Sequence, residues 1–583
     1  MSVIRCDRVL ITVAMVSCAV CVWQALLPSG TTAAEENGAH GVNLKALTRI
    51  GADVDENGWT AFKTSDDTRV IHVSSSQGND ENDGQTPDKP MKTPANALAL
   101  LRDGFPDWVL LRRGDVWFEP LGRVNVSGRS PQEPILLGAY GDTGDRPKLM
   151  LGDHKSGLDI TGRQTSNIAI VGIHFYDHKG DPSTEHFVRD RAKVNHGVWY
   201  YSLGENILIE DCRFQMLRGV TGLGRIWVPE GQPTPEWGMR NMQVRRCVVD
   251  GAWSTSGHCQ GCFFNEVHGL LLEENVLDHN GWNLETGDLP TVFNHNVYIT
   301  TQCDNVVARG NIVSRGSTTG LYCRTNGILE GNLCVDNSPA LNLGRITKFR
   351  PGGVTGRISG NVVIGAPTRE GHKGIRIASN GIEVGNINRG GVVVEDNIVI
   401  GTNGAEGYAL KISPLGVGVH NAMFRRNVVY NWPRMLNWVG VPGNELAKQQ
   451  LSDIVFASNS FQLQQHSDAE SPSIRCRDTE TSEGMTFRDN LLYHEPPDAK
   501  CVELKERQLT FAEWLDEIED SGNRMQKAEF AAPNRTVGTY HETLGKEATL
   551  EAFLLEARKQ SKHNWRKEYT AKAVIEYIRD GFR

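Results

Sequence analysis

Apolar and polar positions alternate in short runs along most of the chain, and the runs recur. One phrase repeats: a start residue, alternating apolar positions, a fixed residue six places on, then two mostly apolar residues. It begins as Asn167-Ile-Ala-Ile-Val-Gly-Ile173 and returns as Asn206-Ile-Leu-Ile-Glu-Asp-Cys212 and Asn241-Met-Gln-Val-Arg-Arg-Cys247. From there its seventh place is Asn275, Asn311, Asn332, Asn361, Asn397, Asn427, Asn459 and Asn490. Period-two alternation predicts short strands with one face inside. Spacings of 21 to 36 residues between these asparagines exclude a leucine-rich repeat and fit a coil with fixed strands and variable loops. Stacked Asn amides can bond one another along a turn. The pattern therefore predicts an all-β parallel β-helix. Cys212 and Cys247 hold the ladder place in adjacent coils, where they stack or bridge.

The ends read differently. Thr93 to Leu101 predicts a short helix capping the open start of the coil, between strands Val70–Val73 and Trp108–Leu111. The turn Gly78-Asn-Asp-Glu-Asn-Asp-Gly84 between them is a candidate Ca²⁺ site, but it lacks the EF-hand order of ligands, which favours a solvated turn. Thr510-Phe-Ala-Glu513 is a capping box, and Thr549 and Thr570 precede two amphipathic segments. Residues 506–583 are therefore expected to form a helical cap over the C-terminal end of a coil spanning 69–505, preceded by a segment at 35–68. Arg5 and Arg8 before the apolar run Val9 to Leu27, with Thr32-Ala-Ala34 after it, predict an export signal cleaved near Ala34. An uncleaved anchor is the alternative.

His72-Val-Ser74, Gly78-x-Asp80-x-Asn82-Asp-Gly84, Lys92-Thr93 and Arg113-Gly-Asp115 resemble the opening of secreted bacterial right-handed parallel β-helix proteins of the pectate-lyase-like superfamily. The resemblance covers roughly residues 69–505. It implies a carbohydrate groove along one parallel sheet, and a lyase, hydrolase or epimerase reaction. The chain lacks the Asp-Pro-His-Asp motif of alginate epimerases and the Asn-Thr-Asp, Asp-Asp, Gly-His-Gly series of polygalacturonases, and it has no clear pectate-lyase calcium site. The reaction is therefore not transferred from a motif, and metal dependence stays open.

Candidate chemistry lies on the later strand of each coil. Aligning Val297-Tyr-Ile299, Leu321-Tyr-Cys323, Leu341-Asn-Leu343, Ile375-Arg-Ile377 and Leu410-Lys-Ile412 puts Tyr298, Tyr322, Asn342, Arg376 and Lys411 in one outward column. Asn296 lies two places before Tyr298, and Thr300 and Arg324 two places after the tyrosines. Aromatic rings suit sugar C–H faces and cations suit carboxylate or sulfate. Tyr298, Tyr322, Asn342 and Asn296 are thus the candidate substrate contacts, and Lys411, Arg376, Arg324 and His295 the candidate catalytic residues. Lys411 beside Arg376 would have a lowered pKa suited to a base; His295 is the alternative base. His196, His258 and His295 could instead form a metal cluster, or serve as turn-capping side chains.

The net charge of −9 disfavours nucleic acid as a partner, and no segment after the first 34 residues is apolar enough to span a membrane. Twelve Cys, three of them in the leader, leave nine; Cys476 and Cys501, with no ladder role, are the expected disulfide. The sequence thus points to a secreted or periplasmic enzyme acting on a polysaccharide, anionic by the cations of the column. A lyase by β-elimination leads. A glycoside hydrolase on a neutral or sulfated glycan, with carboxyls among Glu266, Glu285, Asp288 and Asp304, and a non-catalytic glycan-binding protein are the alternatives.

Overall fold

The computed structural model describes residues 42–583 except 163, 190–194, 225–237, 256–257, 346–351, 366, 403, 405, 414–415, 439–450, 464–471, 477–483, 497 and 506. The expected export signal at 1–34 lies outside the described residues. Three long sheets run the length of the coil. The first has 15 strands, from Val70–Val73 to Glu519–Ser521; the second has 14, from Val116–Trp117 to Arg524–Met525. The third also has 14, from Gly122–Val124 to Arg507–Leu509. Each coil gives one strand to each sheet in turn, and strands pair in parallel with the next coil, except that Arg507–Leu509 turns back antiparallel on Val502–Leu504. The fold is a parallel β-helix of the right hand that twisted strands favour. The coil continues past the expected boundary at 505, to Met525.

Inward side chains of all three sheets form one continuous core. Like side chains stack on like along it: Phe424, Phe456 and Phe487 lie 4.6 and 4.5 Å apart. The asparagines line one buried turn. Asn275 Nδ2 donates to Asn311 Oδ1 at 2.9 Å, and the same bond repeats through Asn332, Asn361, Asn397, Asn427, Asn459 and Asn490 to Asn523. Each amide also accepts a backbone N–H from the coil before it, as Asn311 Oδ1 does from Asn275 at 3.0 Å. These groups are thus satisfied without water.

Both ends are closed. Helix α1 (Pro94–Leu98) sets Ala97 and Leu98 on the first coils. Asp80 of the acidic turn accepts from Lys92 N, Thr93 N and Thr93 Oγ1. Its carboxylate fixes the approach to α1, the structural role expected of a turn. At the other end the capping box of Thr510 and Glu513 starts α2 (Phe511–Leu515), whose Trp514 meets the end of the Phe stack, 4.8 Å from Phe487.

The remaining helices are not where the sequence reading put them. Helices α3 (Val537–Thr543), α4 (Leu550–Ala557) and α5 (Ala571–Gly581) lie along the flank of the coil, not over its end. They bury the outward row Val248, Val276, Ile312, Leu333, Val362 and Ile398 of the second sheet. The N-terminal segment does the same for the first sheet: Ile50 packs on Leu136, Ala169 and Leu208, and Val42 on Leu271 and Val307. The chain itself thus covers much of the outer face of the second sheet and part of that of the first.

The nine cysteines among the described residues are buried, and none is in a disulfide. Cys212 and Cys247 stack without bridging. The expected Cys476–Cys501 disulfide is absent, because Cys476 faces Leu504 across the sheet while Cys501 pairs with Ser473, three residues away along the strand.

Candidate functional site

The third sheet presents its outer face. Its central column reads Arg123, Asp159, Trp199, Thr221, Phe263, Tyr298, Tyr322, Asn342, Glu383, Lys411 and Asn437, one per coil. Arg376 is not in it. Residues Arg369–Glu370 and Arg376–Ile377 form an antiparallel excursion from the coil, where Arg376 is 69% exposed and pairs with Glu406. Its alternating neighbours imitate a coil strand, but Ile375 is exposed, and the true strand is Ile382–Gly385. Glu383 takes the place expected of Arg376.

Asn296 is also corrected. The strand begins only at Val297, so the alternation does not extend back to it. Asn296 points inside, fully buried, in a second ladder with Asn280 and Asn337 at 2.8 and 3.0 Å. His295 faces outward instead. Its ring centroid lies 5.1 Å from Tyr298 and 4.6 Å from Tyr322, and the two tyrosines stack 5.2 Å apart.

Two arginines border this cluster. Arg324 Nη1 donates to the Tyr298 hydroxyl at 2.7 Å, and its guanidinium lies 5.5 Å from the Tyr322 ring centre. Arg345 meets the side chain of Tyr322 and lies 3.8 Å from Glu383. Arg345 follows Gly344, and both have positive φ, 66° and 86°. A Cβ at Gly344 would meet Gly385 O at 1.8 Å, so only glycine allows the turn that brings Arg345 over the sheet. Lys411 Nζ is 3.3 Å from Glu383 Oε1, and Ser413 Oγ donates to the same oxygen at 2.7 Å. Asn342 lies between Tyr322 and Glu383, fully buried, with neither amide atom bonded.

Electrostatics divide the cluster. Burial, with Arg345 and Arg324 nearby, lowers the His295 pKa to about 3, so the ring is neutral. Burial raises the Tyr322 pKa. Burial would raise that of Glu383 too, but Lys411, Arg345 and the Ser413 hydroxyl outweigh it and hold the carboxyl below its usual value. Lys411 faces a carboxylate and not Arg376, so the like-charge argument for it as a base loses its premise.

His196, His258 and His295 do not converge: His196 bonds Thr221 and His258 packs on Phe293. Among the described residues no cluster of His, Cys, Asp or Glu could hold a metal ion. Arg345 and Lys411 around the single carboxylate Glu383, with Arg324 beside Tyr298, form a donor set for an anion, not for Ca²⁺. The hydrolase carboxyls stay apart from the column; Glu266 accepts from Gln302 and Asp304 from Asn326.

Arg345 and Glu383 were missed in the sequence. Glu383 carries the same apolar-flanked signal, Ile382-Glu-Val384, as Lys411, but the Arg376 triplet a few residues earlier displaced it. Arg345 stands one place beyond the register of Arg324, and only the Gly before it hints at a turn.

No protein-family model matches the chain, and no curated protein matches it in sequence. Among solved structures, a mannuronic acid specific polysaccharide family 6 lyase from human gut microbiota is similar at 13% identity and a TM-score of 0.39, over 87% of this chain and 99% of that one. A rhamnogalacturonan lyase is similar at 15% identity and 0.38, over 62% and 82%. A GH136 lacto-N-biosidase from Eubacterium ramulus is similar at 14% and 0.34, over 78% and 68%. With three parallel sheets, one residue ladder per turn and both ends capped, the chain resembles in fold the parallel β-helix proteins of the pectate-lyase-like superfamily.

Proposed function

We propose that the protein is an exported lyase that cleaves an acidic polysaccharide by β-elimination on the outer face of the third sheet. One observation carries the reading. The neutral His295 and the stacked Tyr298–Tyr322 pair are flanked by Arg324 and Arg345 on the outward side of the third sheet. Arg324 and Arg345 hold the uronate carboxylate and, by neutralising it, acidify the neighbouring C–H. The unprotonated imidazole of His295 takes that proton once the bound carboxylate offsets the charge of Arg324 and Arg345, which in the free chain helps to hold its pKa down. The electron pair forms the C=C bond as the glycosidic C–O bond breaks, and the hydroxyl of Tyr298, oriented by Arg324, protonates the leaving oxygen. Glu383 holds Arg345, and Lys411, paired to the same carboxylate, faces the neighbouring sugar. A hydrolase needs two facing carboxyls, and the column from Phe263 to Asn437 holds one, Glu383, already paired.

The test incubates the purified protein with a panel of acidic polysaccharides and follows ultraviolet absorbance of unsaturated ends. Unsaturated product, lost in His295→Ala and Arg324→Ala, supports the reading. New reducing ends without unsaturation would make it a hydrolase. Binding without product would leave a glycan-binding protein.

A further inference from the structure

The column over the third sheet changes character at the cluster. On the N-terminal side Trp199 and Phe263 stand half-buried with Thr221 between them, and Phe263 lies 5.4 Å from Tyr298. The flanking row there holds Asn265 and Thr300, bonded to each other at 2.7 Å. Arg218 beside it donates to the His258 carbonyl at 2.8 Å, and burial lowers its pKa; before Trp199 the same column holds Asp159 and then Arg123, one and two coils away. On the C-terminal side the column carries Glu383, Lys411, Asn437, Arg475 and Glu503, and Arg475 pairs with Glu503 at 2.9 Å.

Coils are about 4.8 Å apart, close to the advance of one sugar ring along an extended glycan. A glycan lying along the column therefore meets roughly one outward side chain per ring. Thr221 is polar, but at Trp199 and at Phe263 on either side of it a uronate would leave its carboxylate desolvated against aromatic surface, with the Arg218 guanidinium beside them already committed. That is unfavourable, whereas the C–H face of an uncharged pyranose fits.

From this asymmetry we infer that the substrate is a heteropolysaccharide: an uncharged sugar stacks on Trp199 and Phe263, and the uronate beside it is held at Arg324 and Arg345. The inference rests on the lyase reading and goes beyond it by naming the substrate's alternation. A polymer of uronate alone is a poor substrate because its next acid falls on the aromatic half.

The experiment compares two probes on the full chain, a homopolymer of uronic acid and a polymer alternating uronate with a neutral hexose. Wild type, Trp199→Ala and Phe263→Ala are measured by initial rates. Alanine-substituted chains are also run through gels containing each polymer, which reads binding without turnover. The expected result is kcat/KM at least tenfold higher on the alternating polymer. Trp199→Ala should raise KM on it about tenfold, the order of one stacked aromatic, with kcat unchanged. Elimination at equal kcat/KM on both polymers would overturn the inference while leaving the lyase reading intact. Absence of unsaturated product from both polymers would overturn the lyase reading; the gels then decide the aromatic half. Equal retention of wild type and Trp199→Ala in the alternating polymer would overturn that too.

Discussion

Lys411 Nζ lies 3.3 Å from Glu383 Oε1, one coil along the same column, and Glu383 is 1% exposed. A buried carboxylate is stable only while it is paired and hydrogen-bonded. Here Lys411, Arg345 and Ser413 share that task. Lys411→Met should lower stability by about 1–3 kcal/mol, read by urea denaturation, and Lys411→Arg should recover most of it. If Lys411→Met unfolds at the wild-type urea concentration, the pair is only a surface contact.

The asparagine ladder makes a separate prediction. Asn361 Nδ2 donates to Asn397 Oδ1 and to Leu329 O, and its own Oδ1 accepts from Asn332. Asn361→Leu removes these bonds and leaves buried groups unpaired on both neighbours. The expected loss is about 2–4 kcal/mol, again by urea denaturation. A loss below about 0.5 kcal/mol would mean that the ladder is not a unit of stability.

How much of this was readable in the chain follows from period. The asparagine keeps a fixed place within its strand phrase although the coils differ in length, so Asn275 to Asn490 could be aligned without a structure. The flanking helices left a sign that was not used. Val276-Leu277, Ile312-Val313 and Val362-Val363 follow their asparagines as apolar pairs, and period two sends one of each pair outward. An outward apolar row needs a cover, and α3 to α5 supply it. The site was less legible because it depends on where strands begin. Asn296 falls one residue before its strand, and the Arg376 excursion carries a strand-like pattern without being a coil. Arg345 reaches the sheet through two left-handed residues that no alternation encodes.

The cover itself can be tested. Val574 of α5 is fully buried against the apolar row of the second sheet. Val574→Asp places an unpaired charge there and should destabilise by more than about 3 kcal/mol. A chain ending at residue 530 should keep its β-rich circular dichroism and associate through the exposed row, seen as a rise in light scattering. A monodisperse monomer at that length would mean that the helices are not needed to mask the sheet.

His295 ties stability to pH in a direction opposite to that of a paired histidine. Burial, aided by Arg345 and Arg324, lowers its pKa to about 3 in the folded chain, against about 6.5 when unfolded. The unfolded state therefore binds the extra proton first, and stability rises with pH across that window. The contribution is complete above about 6.5 and is lost as pH falls toward 3. His196, lowered to about 3, and His279, lowered to about 4, act in the same sense. Glu273, held at about 2 chiefly against the opposing effect of burial by Arg245 and Arg309, adds to the loss once the pH falls below its unfolded value. The thermal midpoint of the wild type should drop by several degrees between pH 7 and pH 4.5, before most carboxylates titrate. His295→Gln, which cannot take the proton, should show a shallower drop over the same range. An identical pH slope in the two proteins would mean that His295 is not held neutral by its burial, and would remove it as the base that stands ready at neutral pH.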